Sequence, residues 1–210
     1  MSWHRLIPLV TVLVLGSGPH AWAGPPTDQL RTYTDQVLKI LQSPSMTLAD
    51  RREAVRNLAE EVFDVTETAK RALGQHWLKR TPAERDEFVK LFANLLEQTY
   101  INRIDEFGGE RLTYVSEQIE GDRAIVRAKI TTKNGTDVPV ESRVLLKDNR
   151  WLIYDILIEN LSLISNYRAQ FDRVIRTASY DELVTRLKNK GEFLNEKGTK
   201  TPKKGEPVKR

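Results

Sequence analysis

Nine consecutive residues, Arg150–Ile158 (RWLIYDILI), leave the chain few ways to fold. Aromatic and β-branched side chains favour a strand here, and a strand places successive side chains on opposite faces. Simple alternation sets Trp151, Ile153 and Leu157 on one face and Leu152, Tyr154, Ile156 and Ile158 on the other. Both faces are therefore apolar, whereas an antiparallel strand with one wet face carries polar residues on alternate positions. Either helices cover both sides, or the sheet curls around something apolar. The strand then passes through Glu159-Asn160 into an amphipathic helix over Leu161–Thr177, with Leu161, Ile164, Tyr167, Phe171, Val174 and Ile175 on one face.

The rest of the chain leads to this joint or follows it. Asp28–Leu41 reads as a first helix capped by Thr27. Thr47 and Asp50 form a capping-box pattern for a second, and Asp64 caps a short third that ends at Gly74. Thr81-Pro82-Ala83-Glu84 combines cap, first-position proline and box glutamate. It opens a spine helix from Pro82 to about Glu106, ended by Gly108-Gly109. The period then falls to two. Leu112–Ile119, Arg123–Thr132, Asp137–Leu146 and Arg150–Ile158 are joined by short turns, with Asn134-Gly135 the strongest hairpin signal. Ser179 and Glu182 box a last helix, Tyr180–Asn189, closed by Gly191. Helices, strands and helices in that order predict an α+β fold: a four-stranded antiparallel meander packed by N-terminal and C-terminal helices.

Composition limits what the chain can do. Residues 1–23 combine a basic start, the apolar run Leu6–Leu15 and Ala21-Trp22-Ala23, the pattern of a cleaved Sec-type signal peptide. Residues 24–194 read as one domain and 195–210 as a disordered basic tail. There is no cysteine, so stability rests on packing, with no disulfide and no thioether-linked lipid. The net charge of +4 belongs to the tail, which holds six basic and two acidic residues; the body is left at −1. A near-neutral body argues against nucleic acid as a partner. His76 is the only histidine beyond the leader, so a zinc site of the usual kind is not expected, and no cofactor motif is present. Asp155, an acid within the apolar strand, reads first as a hydrogen-bonding residue and second as a catalytic acid. The balance is against an enzyme.

Three stretches taken together carry a resemblance. They are Phe63-Asp64 with Ala72-Leu73-Gly74-Gln75-His76-Trp77; Thr81-Pro82-Ala83-Glu84-Arg85 leading to Leu95-Leu96-Glu97-Gln98-Thr99-Tyr100; and Trp151–Ile156 with Leu161–Arg168 and Gln170-Phe171. In order and spacing the chain resembles the MlaC / toluene-tolerance family of periplasmic phospholipid-binding proteins over about residues 28–190. It departs at Glu159-Asn160, where relatives often carry Glu-Gly. The resemblance implies an apolar pocket and a soluble carrier that shuttles a phospholipid, chains inside and headgroup outside. Its implied partners are an inner-membrane ABC transporter complex and an outer-membrane lipoprotein complex, with transient membrane-surface contact and a role in outer-membrane lipid asymmetry. Given that reading, the apolar faces nominate Phe92, Leu95, Leu96, Tyr100, Val140, Val144, Trp151, Ile153, Tyr167 and Phe171 as acyl-chain contacts. Ordinary core packing accounts for each of them at least as well. Asn166 and Arg168 are nominated for headgroup or partner contact, with a surface ion pair the alternative for Arg168. The competing functions are a carrier of another apolar lipid such as a hopanoid, an exported protein-binding adaptor, and a small hydrolase.

Overall fold

The structure, a computed structural model, describes residues 25–106 and 110–189. The leader 1–23, the Gly108-Gly109 stop, Gly191 and the tail 195–210 lie outside the described residues. Six α-helices, α1 (Pro26–Gln42), α2 (Leu48–Val62), α3 (Val65–Leu73), α4 (Pro82–Tyr100), α5 (Leu163–Thr177) and α6 (Tyr180–Lys188), surround one sheet. Its strands are β1 (Arg111–Glu120), β2 (Arg123–Thr131), β3 (Asp137–Lys147), β4 (Arg150–Ile158) and β5 (Leu161–Ser162), paired antiparallel in that order. No helix among the described residues is long and apolar enough to cross a membrane.

Local chemistry sets most helix starts. Thr47 and Thr81 both form full capping boxes, with Asp50 and Glu84 returning the bond to the cap backbone. Asp64 accepts from Glu67 N–H and Ser179 from Glu182 N–H. The first helix is the exception. It begins at Pro26, whose ring pre-sets the helical φ, so Thr27 is not its cap. Thr27 instead bonds the Glu117 carboxylate on β1 through both its N–H and its hydroxyl. The spine α-helix ends at Tyr100 and tightens into a 3-10 segment, Ile101–Glu106. The Thr99 hydroxyl bonds the Leu95 carbonyl just before the change, a bond that often bends helices.

The sheet departs from the sequence expectation in three ways. The first is a fifth strand. Glu159 and Asn160 both adopt positive φ, 51° and 65°, folding Leu161-Ser162 back onto Ile158 and Leu157. The helix therefore starts at Leu163, capped by Ser162. The second is the Asn134-Gly135 turn, which sits inside a longer loop closed by Thr132 N–H on the Thr136 carbonyl. The third is a pair of β-bulges. On β4 the register jumps from Arg143–Asp155 to Val144–Ile153, leaving Tyr154 as an extra residue. A bulge inverts the alternation beyond it. Trp151, Ile153, Ile156 and Ile158 therefore share one face, with Leu152, Tyr154, Asp155 and Leu157 opposite. This corrects the alternating assignment. On β1, Val115 is the extra residue in the same way.

β4 is covered on both faces. Its first face packs with α1 and α2 through Leu30, Leu58 and Val62, and its second lies against α3 and α5. Its outer edge is closed piecemeal. The Gln29 amide pairs with both Trp151 N–H and C=O, at 3.0 and 2.9 Å. Asp64 N–H donates to the Ile153 carbonyl, and β5 completes the far end. A separate core lies among α3 to α6, where Phe88, Phe92, Tyr167 and Phe171 stack or meet edge-on with centroids 5.2 to 5.9 Å apart.

Candidate functional site

The register and the bulges together build one largely apolar face, with Ser142 and Glu117 its polar members. Paired residues in neighbouring strands point to the same side, so rows can be read across the sheet. The first row is Ile119, Ala124, Val144 and Ile153; the next holds Glu117, whose carboxylate is bonded by Thr27, with Val126, Ser142 and Ile156. Beyond them come Tyr114, Ala128, Val140 and Ile158, then Leu112, Ile130 and Val138. Burial falls along this series. Val144 is fully buried at 0%, Val140 is half-buried, and Ile158 is 37% exposed. Leu112, Ile130 and Val138 are all half-buried. The face thus runs from a closed core to an open, still apolar end, where a wet sheet face would turn polar.

Helix α1 lies over this face and is held most firmly near its start. Gln29 grips β4, Thr27 holds Glu117, and Leu30 is buried. One turn on, the Thr34 hydroxyl bonds Tyr114 Oη at 2.8 Å and the Arg31 guanidinium sits over the Tyr114 ring. Burial holds the Tyr114 phenol above its ordinary pKa, opposed by the Thr34 bond. Past these anchors the stripe continues as Val37, Ile40 and Leu41, all half-buried, with Leu38 exposed. Two partly covered apolar surfaces therefore face the same space. On the opposite side of the sheet a shallow groove of about 240 Å³ is lined by Val115, Pro139 and Leu157 together with Arg127, Lys129 and Glu141. Its charges are paired, Arg127 with Glu141 and Lys129 with Asp137.

The nominated residues divide between two places. Val144, Trp151 and Ile153 form the closed end of the apolar face, and Val140 lies on its open half. Phe92, Leu95, Tyr167 and Phe171 belong instead to the helical aromatic core, with Leu96 packed against it. Tyr100, half-buried, hydrogen-bonds Tyr167, and burial raises the pKa of both phenols. Arg168 is exposed on α5, its stem against Gly74 and its guanidinium 3.4 Å from the Ser165 hydroxyl; Asn166 is half-buried beside it. Sequence reasoning passed over Val126, Ala128, Ile130, Val138 and Ile156 as site residues. The alternation in β2 and β3 was a usable signal for four of them, whereas Ile156 needed the bulge.

Asp155 is the pin of the strand-to-helix joint. It is 6% exposed, and its carboxylate accepts from Ser162 Oγ at 2.7 Å and Ile164 N–H at 3.2 Å, with Arg143 3.7 Å away. Both donors lie at the start of α5, so the acid ties that helix to the sheet.

Comparison with known proteins places this geometry. The family model described as "MlaC protein" matches residues 31–189. The chain is 23% identical over 155 residues to the intermembrane phospholipid transport system binding protein MlaC of Haemophilus influenzae, covering 71% of this chain and 70% of that protein. It is 27% identical over 94 residues to toluene tolerance protein ttg2D of Pseudomonas putida, 44% of each. Among solved structures it resembles a phospholipid-binding protein from Ralstonia solanacearum in complex with a phospholipid. The TM-score is 0.69 at 26% identity, over 79% of this chain and 96% of that one.

Proposed function

The chain belongs to the MlaC family, and from that premise we propose that it is a phospholipid-binding transport protein whose acyl chains lie on the open half of the apolar sheet face, beneath α1. The observation that carries this reading is the row-by-row loss of cover along a face that stays largely apolar to its end. The phospholipid bound to the Ralstonia relative supports it. Val140, Val138, Ile130 and Ile158 are the proposed chain contacts, with Val144, Trp151 and Ile153 as the floor. Phe92, Leu95, Leu96, Tyr100, Tyr167 and Phe171 are proposed to support the site through the helical core. Asn166 and Arg168 remain the proposed contacts for headgroup or partner.

Physical chemistry then dictates how such a carrier works. Each methylene exposed to water costs about 0.8 kcal/mol, so two long chains cost on the order of 20 kcal/mol to bring into solution. A protein that offers the chains an apolar wall only needs to match the bilayer. Loading and unloading are then nearly balanced, and direction comes from partners: an ATP-driven inner-membrane complex and an outer-membrane lipoprotein complex. Export through a cleaved leader would place the carrier in the periplasm between them.

The test is native mass spectrometry of the purified chain, followed by incubation of the delipidated protein with phospholipid vesicles. Co-purified phospholipid and uptake from vesicles are expected. Protein that stays empty in both experiments overturns the proposal and favours the adaptor reading.

A further inference from the structure

The most exposed large apolar side chain of the described residues lies away from the sheet face. Leu78, 80% exposed, projects from a 3-10 turn, Gly74–Lys79, between α3 and α4. A leucine on a loose loop would mean little, but this turn is fixed on all sides. Trp77 beside it is buried. The Arg85 guanidinium lies over the Trp77 ring and reaches the Trp77 and Leu78 carbonyls at 3.1 and 3.5 Å. Arg80 N–H donates to the Trp77 carbonyl as well. Gln75 and His76 both bond Asp172 on α5, at 3.0 and 2.8 Å. The leucine is thus presented outward, and the Trp77 and Leu78 carbonyls already have donors.

The surroundings are cationic. Lys79 is exposed beside Leu78, and Arg80 and Arg85 follow it. On the α5 stripe that packs against the turn stand Arg168, next to Gly74, and Arg176. Three acids lie among these five cations: Glu84, paired with Arg80; Asp172, held by His76; and exposed Asp86. The patch therefore carries a net +2 on a body whose net charge is −1, so the remainder of the body is −3.

We infer that the Gly74–Lys79 turn docks the protein on an anionic phospholipid bilayer, with Leu78 entering the interface and Lys79, Arg85 and Arg168 against the headgroups. One leucine with a cationic rim is far smaller than the roughly 800 Å² a protein partner would cover. It is sufficient for weak interfacial attachment, where apolar insertion and attraction to anionic lipid add. Donors on the Trp77 and Leu78 carbonyls lower the penalty for bringing the tip of the turn into that layer. Each cation near an anionic surface contributes about fivefold in binding, lost with added salt. Two or three such contacts hold a carrier briefly and let it leave.

The experiment is vesicle flotation of the chain from Gly24 onward, keeping the basic segment 195–210 as a constant background. The vesicles are mixed phosphatidylglycerol–phosphatidylcholine or phosphatidylcholine alone. Binding is expected only to the anionic vesicles, weakened at high salt, and reduced about fivefold or more by Leu78→Ser and by Lys79→Glu, with circular dichroism unchanged. In a Leu78→Trp variant the added indole emission is expected to shift to the blue on the anionic vesicles. Equal binding by wild type and both variants, or bound Leu78→Trp protein without a shift, overturns the inference. The readout is attachment, not lipid uptake, so a negative result leaves the carrier proposal standing, and the reverse also holds.

Discussion

At the residue scale, a buried acid in an apolar strand invites a catalytic reading, and its partners decide against making that the default. Asp155 satisfies two donors at the start of α5. Truncation leaves a buried N–H and a hydroxyl without their acceptor, which costs about 1–3 kcal/mol for each orphaned group. Asp155→Ala is therefore expected to lower the unfolding free energy by about 3 kcal/mol in urea titrations, and Asp155→Asn, which keeps one acceptor, by less. Four surface carboxylates, Asp50, Glu84, Asp137 and Asp172, add a pH dependence to stability. Asp50 is held below its ordinary pKa by the Thr47 hydroxyl, Glu84 by the Thr81 N–H, Asp137 by Lys129, and Asp172 by His76. Each ionises more readily folded than unfolded, so the unfolded chain takes up protons first as pH falls. Their contribution is complete above the unfolded value of about 4 and is lost as pH drops through the lower folded values. The urea midpoint is expected to stay flat from pH 7 to 5 and to fall below pH 4. An unchanged midpoint at pH 3 contradicts this.

At the element scale, the joints matter more than the helices and strands they connect. Gly74 ends α3 with φ 58° and ψ −131°, a conformation that side chains resist, and an added Cβ would come within 3.1 Å of Arg168 Cδ. The arginine stem can move, but the backbone strain stays. Gly74→Ala is expected to cost about 1–3 kcal/mol by thermal or urea unfolding. It should also disturb the turn that presents Leu78. Glu159-Asn160 shows the opposite case. Both residues take positive φ without glycine, and asparagine tolerates that region better than most residues. The departure from the family's Glu-Gly pattern therefore leaves the hairpin intact.

At the scale of the whole molecule, the two apolar clusters predict different mutant behaviour. Phe92 is fully buried and touches Phe88, Tyr167 and Phe171. Phe92→Ala is expected to cost about 3–5 kcal/mol of stability. Val140, half-buried on the open part of the sheet face, is expected to behave in reverse. Val140→Asp should retain the folded circular dichroism spectrum and lose bound phospholipid in native mass spectrometry. If Val140→Asp co-purifies with as much lipid as wild type, the chains lie elsewhere. This contrast would separate residues that hold the fold from those proposed to meet the ligand, which ten apolar names in a row did not.

The identity and order of the six α-helices and of β1 to β4 were legible because their causes are local. Threonine boxes, a first-position proline, Gly74, period-two strands and Asp148-Asn149 act within a few residues, and the structure follows them to within a residue or two. Family resemblance was legible too, in the order of three short stretches, and residues 31–189 match the family model. The site was not. Which face Ile156 occupies depends on a bulge, and that bulge is set by how β4 pairs with β3 rather than by β4 itself. Half-burial of Val140 and full burial of Phe92 depend on what lies above each, and an apolar pattern reads the same for both. Hydrophobicity states only that a side chain avoids water. Only the packed molecule decides where another side chain covers it and where a ligand has room to.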